Sequence, residues 1–211
     1  MFNRQFRIPG PVPIPQPVQS AIAEAMKTEH QISHRSAAFS QHLFALTENL
    51  KKIFQTKNDL FLFGSSGTGG MQAAVTNLFG PGEEVLVITN GFFGERFLQI
   101  ADAQWLRITA LKQGWGAPVD LDAVQAVLNS RTGKNIRGVL MVHNETSVGV
   151  TNPVAEIGEL LSNRDDVLFV VDMISSMGAV ECNVDQWRID VAVTCSQKGL
   201  MCPPGAAMVS V

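Results

Sequence analysis

The chain has 211 residues, with 16 basic and 19 acidic side chains and a formal net charge of −3. That length suits one domain or a tight pair, and it should bury roughly 70% of the unfolded surface without help from disulfides or metals. A hydrophobic fraction of 45% and a charged fraction of 17% exclude disorder as the dominant state, and the acidic balance argues against a nucleic-acid binder with a basic stripe.

The N-terminal residues 1–16 carry Pro9, Pro11, Pro13 and Pro15, which predicts an extended arm. Such an arm lies across a surface or is loosely tethered, and both options stay open. Residues 17–27 then predict a helix with Pro17 in its first turn. Residues 36–53 predict a second, with Phe39, Leu43, Leu46 and Leu50 on one face. Beyond these the character changes to short apolar runs at 60–63, 85–88, 106–108, 138–142, 167–171, 191–193 and 206–211. Helical patterns lie between several of them, at 71–78, 95–102, 121–128 and 154–161. The alternation predicts an α/β fold with a mostly parallel sheet. No apolar run approaches the ~20 residues of a membrane helix, and residues 1–15 hold no signal-peptide core. The cysteines, Cys182, Cys195 and Cys202, are odd in number and unpaired in spacing, which points to reduced thiols in a cytoplasmic setting.

In parallel sheets, ligands bind outside the carboxyl ends of the strands, so the loops that follow the apolar runs are the candidate site. The first, Gly64-Ser65-Ser66-Gly67-Thr68-Gly69-Gly70, joins a strand to a helix. It reads as a phosphate cradle at a helix N-terminus or as a plain tight turn. It does not satisfy a P-loop, a dinucleotide fingerprint or a GxSxG elbow. The second, Asn90-Gly91-Phe92-Phe93-Gly94, offers one aromatic ring to cover a flat ligand or two rings to pack inward. The third, His143-Asn144-Glu145-Thr146-Ser147, is dense in hydrogen-bonding groups but lacks the spacing of a metal site. The fourth ends on Asp172, a carboxylate closing a fully apolar strand; it either caps Ser175 or Ser176 or holds a cationic ligand group. The fifth, Thr194-Cys195-Ser196-Gln197-Lys198-Gly199, presents one lysine where its amine could act as nucleophile or base. A phosphate cradle, an aromatic lid, a polar loop, a strand-end acid and a loop lysine together suit pyridoxal 5′-phosphate (PLP), which asks for a Schiff-base lysine and an acidic partner for its ring nitrogen.

These loops, with Pro9-Gly10-Pro11, His34-Arg35-Ser36 and Pro203-Pro204-Gly205, resemble the class V aminotransferases of PLP fold type I. The resemblance is to the alanine–glyoxylate and serine–glyoxylate (serine–pyruvate) branch, and it runs along the whole chain. It implies a PLP-binding large domain over 17–211, with a seven-stranded, mostly parallel sheet between helices on both faces. It also implies that Lys198 carries PLP as an internal aldimine and later acts as the base at the substrate's Cα, and that Asp172 pairs with the ring nitrogen. Ser66, Gly67, Thr68 and Gln197 would hold the phosphate, Thr146 would lie near the ring hydroxyl, and Phe93 would stack on the ring. Many relatives have Trp at the position of Phe93; Phe keeps the π-face and loses the indole N–H.

The implied reaction moves an amino group from a small amino acid, alanine or serine, to a keto acid such as glyoxylate or pyruvate, within a homodimer. A non-catalytic PLP-fold module, or a lyase- or desulfurase-type class V enzyme, is the alternative. Relatives continue past the lysine into a smaller C-terminal domain with a substrate-binding Arg, and a partner subunit commonly offers a Tyr to the phosphate. The chain contains no Tyr and stops within the apolar run 206–211, so the expectation is that the small domain lies outside it.

Overall fold

The computed structural model describes residues 7–27 and 32–211. Part of the predicted arm, residues 1–6, lies outside the described residues. From Arg7 the chain runs without regular structure into α1 (Gln16–Ala25), which has Pro15 as its N-cap, Pro17 in its first turn and no buried residue. Helix α2 (Ala37–Phe54) starts at Ser36, whose hydroxyl accepts the N–H of Phe39 at 3.2 Å. Its expected apolar face is buried only in part. Leu50 and Phe54 enter the core, whereas Leu43, Phe44 and Leu46 are exposed. The helix meets the sheet at its C-terminal end, so the apolar stripe of its earlier turns has no neighbouring element to cover it among the described residues.

All seven apolar runs become strands of one sheet: β1 (Leu60–Phe63), β2 (Glu84–Thr89), β3 (Arg107–Lys112), β4 (Ile136–Val142), β7 (Leu168–Asp172), β8 (Val191–Cys195) and β9 (Ala207–Ser210). The two remaining strands, β5 (Asn144–Glu145) and β6 (Val150–Thr151), form a small antiparallel hairpin that the polar sequence there did not announce. The order across the large sheet is β1-β9-β8-β7-β4-β2-β3. Strand β9 runs antiparallel to both neighbours, and every other pairing in that sheet is parallel. Strand β3 extends well past its predicted run because it pairs in register with β2 as far as Thr89↔Lys112. As an edge strand it is only partly buried, so an apolar-run criterion detects its start alone.

Helices α3 (Gly67–Leu78) and α4 (Phe92–Ala103) cover one face, and α5 (Leu121–Asn129), α6 (Val154–Leu160) and the end of α2 cover the other. Adjacent strand residues therefore divide between two cores. Val85, Val87, Leu140, Val170 and Val193 pack under α3 and α4, while Leu86, Ile88, Met141, Phe169 and Val171 pack on the opposite side. With both faces covered, the strands read as continuous apolar runs rather than as alternation.

Helix α3 opens with three glycines in its first four residues, which cost helix stability of roughly 1 kcal/mol each relative to Ala. Close packing offsets that cost. A Cβ at Gly70 would stand 2.9 Å from Val193 Cγ1 and 3.2 Å from Ala207 Cβ, so the missing side chain sets how near α3 lies to β8 and β9. Gly70→Val should therefore lower stability by about 1–3 kcal/mol, the usual cost of overpacking a filled interior. Urea unfolding followed by circular dichroism would measure this, and an unchanged midpoint would show that the contact is not tight.

Candidate functional site

The loops at the C-terminal edge of the sheet converge on one cavity of about 180 Å3. Ser66, Gly67 and Thr68 border it from the start of α3, Phe93 from the first turn of α4, and Thr146 from the loop of the β5–β6 hairpin. Asp172 comes from the end of β7, and Gln197 and Lys198 from the segment after β8. The structure thus brings together the eight residues to which the resemblance assigns a role toward the cofactor. Two further residues, Ile174 and Cys195, complete the wall. Both are apolar in character and carried no chemical signal in the sequence.

The two glycine-rich loops end differently. At α3, the Ser66 hydroxyl accepts the N–H of Gly69 at 3.1 Å. The N–H groups of Gly67 and Thr68 belong to the first helical turn, where no intrahelical acceptor exists. Gly67 is itself pressed against the strand ends, since a Cβ there would meet Ile174 Cδ1 at 2.6 Å. At α4, by contrast, the first turn is already satisfied by protein. Glu145 Oε2 accepts from Phe93 N–H at 3.0 Å and from Gly94 N–H at 2.9 Å, and Ser147 Oγ accepts from Phe92 N–H at 3.0 Å. Glu145 Oε1 in turn takes the Ser147 hydroxyl at 2.7 Å. This buried carboxylate is the functionally placed residue that sequence reasoning passed over. It fixes the helix end that carries Phe93, and nothing short of the fold reveals that its partners lie 52 positions away.

The adjacent aromatics divide their duties. Phe93 is part-buried against the core under α3 and α4 and borders the cavity, whereas Phe92 is exposed, with the Arg96 guanidinium 5.4 Å from its ring centre. The Thr146 hydroxyl donates to Ser175 Oγ at 2.7 Å, and Ser175 also bonds the carbonyl and side-chain amide of Asn144. Ser175 is therefore tied to the polar loop rather than to Asp172.

Asp172 is buried, and its Oδ1 accepts the N–H of Ile174 at 2.7 Å. Ser175 and Ser176, the expected capping partners, do not take that place. Burial pushes the Asp172 carboxyl up to about 7; the Ile174 N–H and the charge of Lys198 pull it down, and Glu145 pushes it further up. Lys198 sits in a fastened loop. Ser196 donates its hydroxyl to the Pro203 carbonyl at 2.6 Å, and the Met201 N–H bonds the Lys198 carbonyl at 3.0 Å. Beside it, Gln197 Oε1 is buried with no hydrogen-bond partner among the described residues.

His143, the histidine of the polar loop, faces away from this chemistry. Its Nδ1 lies 3.8 Å from Cys182 Sγ, and its ring meets Trp187 edge-on at 5.2 Å. Burial lowers the imidazole to about 4 and raises the Cys182 thiol to about 11, so the two form a neutral packed contact rather than an ion pair at pH 7. No group of three or more His, Cys, Asp or Glu side chains among the described residues is arranged to hold a metal ion. Nor is any described helix long and apolar enough to cross a membrane.

A family model described as "Aminotransferase class-V" matches residues 7–211. The chain is 39% identical over 204 residues to the "Soluble hydrogenase 42 kDa subunit" of Anabaena cylindrica, covering 97% of this chain and 52% of that one. It is likewise 39% identical over 204 residues to the "L-aspartate--glyoxylate aminotransferase" of Paracoccus denitrificans, covering 96% of this chain and 50% of that one. Among solved structures, the aspartate aminotransferase of subgroup IV from Thermus thermophilus superposes with a TM-score of 0.88 at 31% identity, over 99% of this chain and 57% of that one. The chain spans about half the length of the curated relatives it matches.

The Asp172 carboxyl titrates higher in the folded chain than in the unfolded one, so its contribution to stability is full at acid pH and is lost as pH rises from about 4 to about 7. Asp172→Asn removes that loss. In the cofactor-free chain, the stability of the variant relative to the parent should improve across this range, by no more than about 4 kcal/mol. Taking the difference cancels His143, whose lowered value acts in the opposite sense. Unfolding midpoints at several pH values measure the effect, and a pH-independent difference would show that the carboxylate is well solvated.

Proposed function

The chain belongs to the class-V aminotransferase family, and from that premise we propose that it forms the PLP-binding part of an aminotransferase, with residues 1–16 as its arm and 17–211 as its large domain. Members of this family are PLP-dependent enzymes. One observation carries the reading for this chain. A buried carboxylate, Asp172, and Lys198, the only lysine bordering the cavity among the described residues, share it with the unsatisfied start of α3.

The residues present fit the cofactor. The first-turn N–H groups of Gly67 and Thr68, with the partial positive charge of the helix end, suit a phosphate. Gln197, whose Oε1 is buried without a hydrogen-bond partner among the described residues, lines the same cavity, and rotation of its side-chain amide would present N–H donors there. A carboxylate raised to about 7 is stabilised as an anion by a cation placed beside it, which a protonated pyridine nitrogen would be. Phe93 offers a π-face, and the Thr146 hydroxyl is oriented by Ser175. PLP, when bound, supplies an electron sink for the charge that develops at the substrate's Cα.

The chain's own residues perform the remaining work. Asp172 keeps a proton on the group it faces by remaining an anion. Lys198 would hold the cofactor through its amine and would serve as the base that takes the proton from the substrate's Cα. Ser196 and Pro203 hold the loop that aims this amine. The amino donor we infer is a small amino acid, alanine or serine, and the acceptor is glyoxylate or pyruvate. The name of the Paracoccus denitrificans relative supports glyoxylate while pairing it with aspartate. The active unit we infer is a homodimer.

Incubation with PLP, reduction with borohydride and peptide mapping test the assignment. A reduced adduct on Lys198 is expected, and Lys198→Ala should abolish it and cut transamination by at least about 10²-fold, the scale of a general base. An adduct on any other lysine, or none, overturns the cofactor assignment. An adduct with no transamination of alanine, serine or aspartate favours a non-catalytic PLP module instead.

A further inference from the structure

The N-terminal arm does not simply precede the domain; it crosses the lysine. The Val12 N–H donates to the Gln197 carbonyl at 3.1 Å, which ties the arm to the residue just before Lys198. Two positions earlier, Gly10 lies against the lysine stem. A Cβ there would stand 2.5 Å from Lys198 Cδ, 3.2 Å from Lys198 Cε and 2.9 Å from the Gln197 carbonyl oxygen. Gly10 has φ +145, a conformation that side-chain-bearing residues rarely adopt. The opposite side of the lysine loop is equally close. A Cβ at Gly199 would come 2.3 Å from the Met177 carbonyl oxygen, and Gly178, with φ +77, faces Gly199 in turn. The loop is thus pinched between the 177–178 turn and the arm.

We propose that Gly10 is a positioning residue for Lys198: its missing side chain lets the arm roof the lysine stem, which confines the swing of the amine toward the cavity. The physical basis is the freedom of a lysine side chain, whose four rotatable bonds otherwise let the ammonium seek water. A wall at Cδ and Cε removes the rotamers that lead out. Gly10 takes no part in the chemistry and acts only through the lysine. That this lysine is the cofactor's anchor rests on the function proposed above, but its confinement by the arm does not, and the two are tested separately.

Competitive acetylation of the cofactor-free chain at one fixed pH, read by mass spectrometry, reports how accessible each lysine amine is. Lys57 and Lys112 in the same sample serve as internal standards. Gly10→Ala should raise the acetylation of Lys198 relative to these standards by about fivefold, because the added methyl forces the arm and the stem apart. Gly116→Ala is the control: it has φ +83 but nothing within 4 Å of its added Cβ, so it introduces backbone strain without a neighbour. It should leave Lys198 unchanged. Val12→Pro deletes the N–H that ties the arm to Gln197 while keeping Gly10, and it should reproduce the effect of Gly10→Ala even if that variant folds poorly. Unchanged labelling of Lys198 in both arm variants, or an equal rise in the Gly116→Ala control, overturns the proposal. The PLP adduct is then assayed separately; its failure to form in the parent chain would count against the cofactor assignment and leave the labelling result standing.

Discussion

The constraint on which the site depends is the burial of one carboxylate. Asp172 ends a strand whose other residues are apolar and whose two faces are both covered, so its side chain is almost wholly buried. A carboxyl held at about 7 is balanced between its two protonation states near neutral pH, and what decides between them is the next charge to approach. The Ile174 N–H alone is not enough to return it to the ordinary carboxylate range. The neighbouring strand brings Lys198 toward it from one side, and the cavity leaves room for a further cation. The rest of the edge is arranged around that unfinished electrostatic balance.

The two helix ends above it show how the fold separates a structural terminus from one left available. Helix α4 spends a buried carboxylate and a serine hydroxyl on its own first turn. That fastening leaves no N–H there for a ligand, and it fixes the backbone of Phe93. Helix α3 keeps only its Ser66 cap and is brought against Ile174 and Cys195 by Gly67. An anion entering this cavity therefore meets one open helix end, not two. The polar hairpin loop serves both: Glu145 and Ser147 turn to α4, while Thr146, between them, turns to Ser175 and the cavity.

Much of this was legible in the sequence. The seven strands were visible because both faces of the sheet are covered, which leaves uninterrupted apolar runs. The candidate residues were visible because polar groups immediately after such runs fall at one edge of a parallel sheet. What was hidden was relational. The sequence pattern shows α3 only from residue 71, because Gly67, Gly69 and Gly70 disguise a helix start that close packing supports. The exposed stripe of α2 carried the right period but lacks a neighbour, and periodicity does not report neighbours. Glu145 looked like one more polar loop residue, because its partners are distant in sequence. Gly10 stood within a proline-rich arm whose path over Lys198 no local pattern encodes.

The central claim is that one cavity takes PLP with its phosphate at the start of α3 and its ring nitrogen on Asp172. A crystal structure of the chain grown with PLP tests it most directly. The account predicts phosphate oxygens within hydrogen-bonding distance of the Gly67 and Thr68 N–H groups and the ring nitrogen on the Asp172 carboxylate. Ordered PLP whose phosphate lies elsewhere, or whose ring nitrogen does not meet Asp172, would contradict it.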